Sequence, residues 1–216
     1  MLLQDFPSGP FETNAYVIAC DVTKSAAVVD PAPDSFQAIT NYLTKNHLKL
    51  VAVWLTHTHW DHIADVPKFK DKYQVPVYVH KLDAPNLERP GSDGLMPEFF
   101  LMMKGASQGV KPDRFINDGD TLALGSITFV VMHTPGHSPG SVCLYCKELN
   151  VLMSGDTLFK GSIGNLSFPT SQPDLMWPSL QKLNTLPKET KVYPGHGAST
   201  TIGNESWLAR AKQIFG

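Results

Sequence analysis

The segment Leu55-Thr56-His57-Thr58-His59-Trp60-Asp61-His62 constrains this chain more than any other, because four metal-type donors fall within six positions directly after the apolar run 51–55. A run of that kind reads as a buried strand. Polar atoms carried to its end lose water and cost several kcal/mol unless something compensates them. Imidazole nitrogen and carboxylate oxygen are the donors that suit zinc, iron and manganese. Alternate residues of an extended chain point the same way, so His57 and His59 can share one ion. Asp61 and His62 fall where a helix should begin, and the turn carries them toward a second position.

Three later segments repeat the design. Thr134-Pro135-Gly136-His137, Ser154-Gly155-Asp156 and Tyr193-Pro194-Gly195-His196 each follow a strand-like run with a donor in a tight turn. An isolated His or Asp after a strand is ordinarily a turn residue. Together the set is His57, His59, Asp61, His62, His137, Asp156 and His196, enough for two ions with three terminal ligands each and one shared carboxylate, leaving room for water. The other histidines are not expected to ligate. His47 reads as the surface end of a helix, His80 as a strand end near the site, and His133 as a supporting partner or a core residue.

Apolar runs at 15–20, 26–29, 50–55, 75–79, 127–132, 141–146 and 151–153 predict strands. Helical spacing follows Asp34, a candidate N-cap, at Phe36, Ile39 and Leu43, and follows Asp61 at Ile63, Val66 and Phe69. Further helices are expected over 174–186, with Pro178 in or near the first turn, and over 205–215. The rhythm breaks at 82–115, an irregular excursion rich in Pro and Gly around Phe99, Phe100, Leu101, Met102 and Met103. It reads equally as a lid over a site or as a flap completing the core. A length of 216 residues fits a single domain spanning 1–216.

With 42% hydrophobic and 18% charged residues the composition is globular, and a net charge of −2 gives no general affinity for nucleic acid. No apolar run reaches membrane-spanning length and the N-terminus lacks a signal-peptide pattern, so a cytoplasmic location is expected. Cys20, Cys143 and Cys146 are too few and too unevenly spaced for a disulfide framework. The Cys143-x-x-Cys146 pair sits inside a predicted strand without a second pair, which favours core packing over redox or zinc chemistry.

In order and spacing, His57-x-His59-x-Asp61-His62, Thr-Pro-Gly-His137, Ser-Gly-Asp156 and Pro-Gly-His196 resemble the metallo-β-lactamase superfamily. The pattern covers nearly the whole chain and is most similar to the short bacterial hydroxyacylglutathione hydrolases of the glyoxalase II branch. The resemblance implies an α/β fold of the αββα type, in which two mixed β-sheets are flanked by helices. It also implies two divalent metal ions, most simply Zn2+ with Fe or Mn as alternatives. His57, His59 and His137 would hold one, Asp61, His62 and His196 the other, and Asp156 would bridge them. Asp30, in Val28-Val29-Asp30-Pro31, would support the site from behind.

The expected reaction is hydrolysis of a small-molecule thioester or ester by water activated between the ions, with Asp61 as the catalytic residue that orients it. S-2-hydroxyacylglutathione is the substrate the branch implies. Two departures bear on that. The chain ends about 20 residues after His196, without the helical domain of longer glyoxalase II enzymes, and Gly164-Asn165-Leu166-Ser167-Phe168 carries no cation. A mono-iron persulfide dioxygenase and a lactonase or other ester hydrolase stand as alternatives on the same scaffold.

Overall fold

Residues 15–19 are all buried, and they alternate between two cores: Ala15, Val17 and Ala19 face one, Tyr16 and Ile18 the other. A strand covered on both faces reads as a continuous apolar run rather than an alternating one. The same division holds at 142–146, where Val142, Leu144 and Cys146 face inward while Cys143 and Tyr145 face outward.

The computed structural model describes residues 1–96 and 108–216. Within them β1 (Leu2–Ser8), β2 (Thr13–Ala19), β3 (Ser25–Val29), β4 (Lys49–Trp54), β5 (Val77–His80) and β6 (Arg114–Ile116) form one sheet in sequential order. Its first three strands are antiparallel and β3 to β6 are parallel. The second sheet runs β12 (Thr200–Thr201), β11 (Lys191–Pro194), β10 (Val151–Gly155), β9 (Val142–Cys146), β8 (Ile127–His133), β7 (Thr121–Leu124), with only β10 and β11 parallel. Both sheets are mixed.

They face each other across a core that contains Trp54 and Phe129, whose rings meet edge to face at 5.5 Å. The outer face of the first sheet packs on α1 (Phe36–Lys45), α2 (Trp60–Ile63), α3 (Val66–Tyr73) and α4 (Ala84–Glu88) through Ile39, Leu43, Ile63, Phe69 and Leu87. The outer face of the second packs on α5 (Pro173–Asn184) and α6 (Ala211–Phe215) through Met176, Leu180, Leu183 and Ala211. The result is the expected αββα sandwich of the α/β class. No helix among the described residues is long and apolar enough to cross a membrane.

Several local expectations need correction. Asp34 does not cap α1: its φ is +65°, Ser35 is the boundary residue, and the Phe36 N–H is instead bound by Asp65 Oδ2 at 2.8 Å. Pro178 falls near the first turn of α5, as expected, and there it removes the bond to the carbonyl of the exposed Asp174. The expected helix over 205–215 is a 3₁₀ turn, Leu208–Arg210, followed by α6. Glu205 is held out of a helix because its carboxylate accepts from Thr200, Trp207 and the Gly161 N–H. The excursion at 82–115 begins with α4 and ends in β6. Its apolar cluster Phe99 to Met103, on which the lid or flap reading rests, lies outside the described residues.

Candidate metal centre

Every expected donor leaves the same edge of the sandwich. His57, His59, Asp61 and His62 follow β4, the last two on α2; His137 sits in the β8–β9 turn, Asp156 just after β10 and His196 just after β11. Two groups of three have ligand atoms within 4.8 Å of one another: His57, His59 and His137, and Asp61, His62 and His196. Asp156 faces both. Its Oδ1 lies 3.5 Å from His62 Nε2, while its Oδ2 lies 3.3 Å from His137 Nε2 and 3.5 Å from His196 Nε2. Asp61 Oδ2 is 3.5 Å from His62 Nε2 and 3.3 Å from His196 Nε2. Two ligands about 2.1 Å from one tetrahedral ion stand roughly 3.4 Å apart, so these spacings fit coordination.

For four of the five rings a hydrogen bond at Nδ1 fixes Nε2 as the nitrogen offered. Nδ1 of His62 meets Asp30 Oδ2 at 3.0 Å, Nδ1 of His137 meets the Asn165 carbonyl at 2.9 Å, and Nδ1 of His196 meets the Phe11 carbonyl at 3.0 Å. His57 Nδ1 lies 3.1 Å from Thr56 Oγ1. The Nε2 atoms of His57, His59, His62 and His137, and Oδ1 of Asp156, are buried without a partner. An unsatisfied buried polar atom costs about 1–3 kcal/mol, and five around one point are favourable only where something binds them. The residues therefore form a divalent metal site, and the donor set fits the group the family pattern implies.

A third group, Asp30, His57 and His62, is also close enough to ligate. Its chemistry argues against a ligand role for Asp30. Oδ1 accepts the Thr56 N–H at 2.8 Å, and Oδ2 accepts Thr56 Oγ1 at 2.5 Å beside His62 Nδ1. Asp30 thus stands behind the site, orienting His62 and, through Thr56, His57.

Burial and neighbouring charge compete in the titration of the cluster. Burial lowers His57, His59 and His137 below the ordinary imidazole range, helped by neighbouring imidazoles. For His62 burial acts the same way but is outweighed by Asp61, Asp156 and Asp30, which push it up to about 10. His196 is likewise raised, by Asp61 and Asp156 against burial. Asp61 is held low because His62 and the hydrogen bonds of His196 and Thr13 outweigh its burial.

Two glycines are required by closeness. A Cβ at Gly195 would stand 2.1 Å from Asp156 Oδ1, and one at Gly164 would stand 2.1 Å from the Asp156 carbonyl and 2.8 Å from His137 Nδ1. Residues with no signature in the sequence complete the frame. Thr13 donates to Asp61 Oδ2 at 2.7 Å, and the β11–His196 turn is clamped by Asn14 Nδ2 on the Pro194 and Gly197 carbonyls and by Tyr16 OH on Pro194. His80 and His133 stack on each other at 4.2 Å, outside the donor groups, and His47 is exposed. Over the donors opens a cavity of about 450 Å³ lined by Phe11, Trp60, Leu95, Phe159, Asn165 and Phe168 together with His59, Asp61, His137, Asp156 and His196.

The model of the metallo-β-lactamase superfamily matches residues 8–196. A probable metallo-hydrolase of Bacillus subtilis, YqgX, is 33% identical over 92% of each chain. The hydroxyacylglutathione hydrolase GloC of Haemophilus influenzae is 29% identical over 95% of each. Among solved structures, the BLEG-1 B3 metallo-β-lactamase is 36% identical with a TM-score of 0.85 over all of both chains. TTHA1623 in a di-iron-bound form is 34% identical with a TM-score of 0.81, over 94% of this chain and 96% of that one. Sequence, fold and donor pattern agree, and this chain belongs to the metallo-β-lactamase superfamily.

Proposed function

We propose that this metallo-hydrolase cleaves thioesters at a centre of two divalent metal ions, in the manner of the hydroxyacylglutathione hydrolases, with Zn2+ the expected ion. The observation that carries the reading is the set of unpartnered Nε2 atoms and the Asp156 carboxylate that reaches both donor groups. His57, His59 and His137 would hold one ion, Asp61, His62 and His196 the other, and Asp156 both. When bound, such ions lower the pKa of water from about 15.7 to roughly 7 and polarise a carbonyl.

The chain's own residues supply position and protons. Asp61 is kept ionised, and Thr13 fixes one of its oxygens, so its carboxylate can accept a hydrogen bond from the attacking water and orient it. The Phe11 and Asn165 carbonyls and the Asp30 carboxylate hold the imidazoles in the tautomer that turns Nε2 inward. Side-chain nucleophiles are unsuited to the role. Ser138 donates to Asp83 and pairs with Ser141, and the three cysteines are buried. The acceptor is a small-molecule thioester or ester, and S-2-hydroxyacylglutathione is the reference substrate.

A mono-iron oxygenase is disfavoured by the second donor group, since Asp61 and His196 complete a set that a single ion does not need. Elemental analysis should find two ions per chain, and thioester turnover should proceed without oxygen uptake. Asp156→Ala and His59→Ala should each lose metal and reduce hydrolysis by at least a thousandfold. Full activity in a metal-free variant would end the proposal.

A further inference from the structure

The cavity over the centre bears on which thioester is taken. Its walls beyond the ligands are Phe11, Trp60, Leu95, Phe159 and Phe168, with Asn165 the one polar side chain among the described non-ligand residues, and no Lys or Arg among them. The rings stand against both donor groups. Phe168 lies 5.4 Å from His59 and 5.6 Å from His137, against the first donor group. Phe159 lies 5.9 Å from His196, against the second, and Phe11 leans on Trp60 at 5.5 Å at the mouth.

Phe11 is 56% exposed, an aromatic ring left in water where the cavity opens. Its backbone keeps it there, because the Phe11 carbonyl is bound to His196 Nδ1 and the Glu12 N–H closes a turn onto Gly9. A flat apolar surface fixed at a cavity mouth gains by covering itself with an apolar ligand. Glutathione brings two carboxylates and an ammonium several bonds from the sulfur. Carboxylates taken from water need a partner of opposite sign, and the described residues of these walls present none.

We infer that the substrate is an uncharged thioester carrying apolar groups on both sides of the carbonyl, the acyl arm and the thiol arm each lying against aromatic rings. This rests on the thioesterase reading of the centre, and the test therefore measures binding apart from turnover. With metal-loaded protein, titration calorimetry compares two thioethers that cannot be hydrolysed, S-phenethyl-N-acetylcysteamine and S-phenethylglutathione. The neutral compound should bind at least about tenfold more tightly, since apolar pockets discriminate by roughly tenfold or more per added group. Phe168→Ala and Phe159→Ala should each weaken it about tenfold while Phe168→Leu retains most of the affinity. The phenylacetyl thioesters of the two thiols should be cleaved with the same preference in kcat/KM.

Equal or tighter binding of the glutathione compound, or a neutral affinity indifferent to both alanine variants, overturns the inference and leaves the hydrolase intact. Ring-dependent binding of the neutral compound by protein carrying its metals but cleaving neither thioester upholds the site and removes the hydrolase reading instead.

Discussion

Asp30 touches no substrate, yet it holds the Thr56 backbone, the Thr56 hydroxyl and the His62 ring with one carboxylate. Replacing it with Asn exchanges an acceptor oxygen for a donor against groups that themselves donate. Asp30→Asn should lower metal affinity 10- to 100-fold, the usual effect of losing such a supporting partner, measured by competition with a chromophoric chelator, while the far-UV circular dichroism stays unchanged. At this scale the sequence was highly legible for donors and poorly legible for what holds them. Each donor follows a strand in a turn, a placement that short motifs display. Thr13, Asn14 and Tyr16 are ordinary residues at the start of β2, and they acquire a role only because β2 lies beside the His196 turn. Nothing local could mark them. The aromatic walls were equally silent, since Phe11 and Phe168 are 157 positions apart in a chain rich in Phe.

Element by element, strands buried on both faces were read well, because continuous apolar runs have no competing explanation of that length. Edge and rim strands were not. β1 has only exposed and half-buried positions and tolerates Pro7 because it lies at a sheet edge, and β6 and β7 are three and four residues long. Helix ends failed where distant groups intervened, as when Asp65 caps α1 and Glu205 is pinned by Thr200 and Trp207. The strand reading of Cys143 and Cys146 has a clear outcome: three positions apart on β9, they enter different cores and cannot share an ion. The core between the sheets rests on large rings. Phe129→Ala, fully buried against Trp54, should destabilise by about 3–5 kcal/mol, seen as a lower denaturant midpoint with metal content per folded chain retained.

For the molecule as a whole, protons and metal compete for one cluster. His62 is pushed up to about 10, so it holds a proton at neutral pH when no ion is present, and Asp61 and Asp156 raise His196 in the same direction, whereas His57, His59 and His137 are already neutral. A folded pKa above the unfolded one adds stability that is complete below about 6.5 and is lost as pH climbs through the folded value. Metal-free protein should therefore lose melting temperature between pH 7 and 10. Adding Zn2+ at pH 7 should release protons, read as a binding enthalpy that varies with the buffer's ionisation enthalpy. The donors also come from both layers of the sandwich: His57, His59, Asp61 and His62 leave one sheet, and His137, Asp156 and His196 leave the other. An ion seated among them is a rivet through two plates. A cell that withholds the metal is then left with more than an idle catalyst, for the seam between the plates slackens too, and ion supply governs the lifetime of the chain as well as its rate.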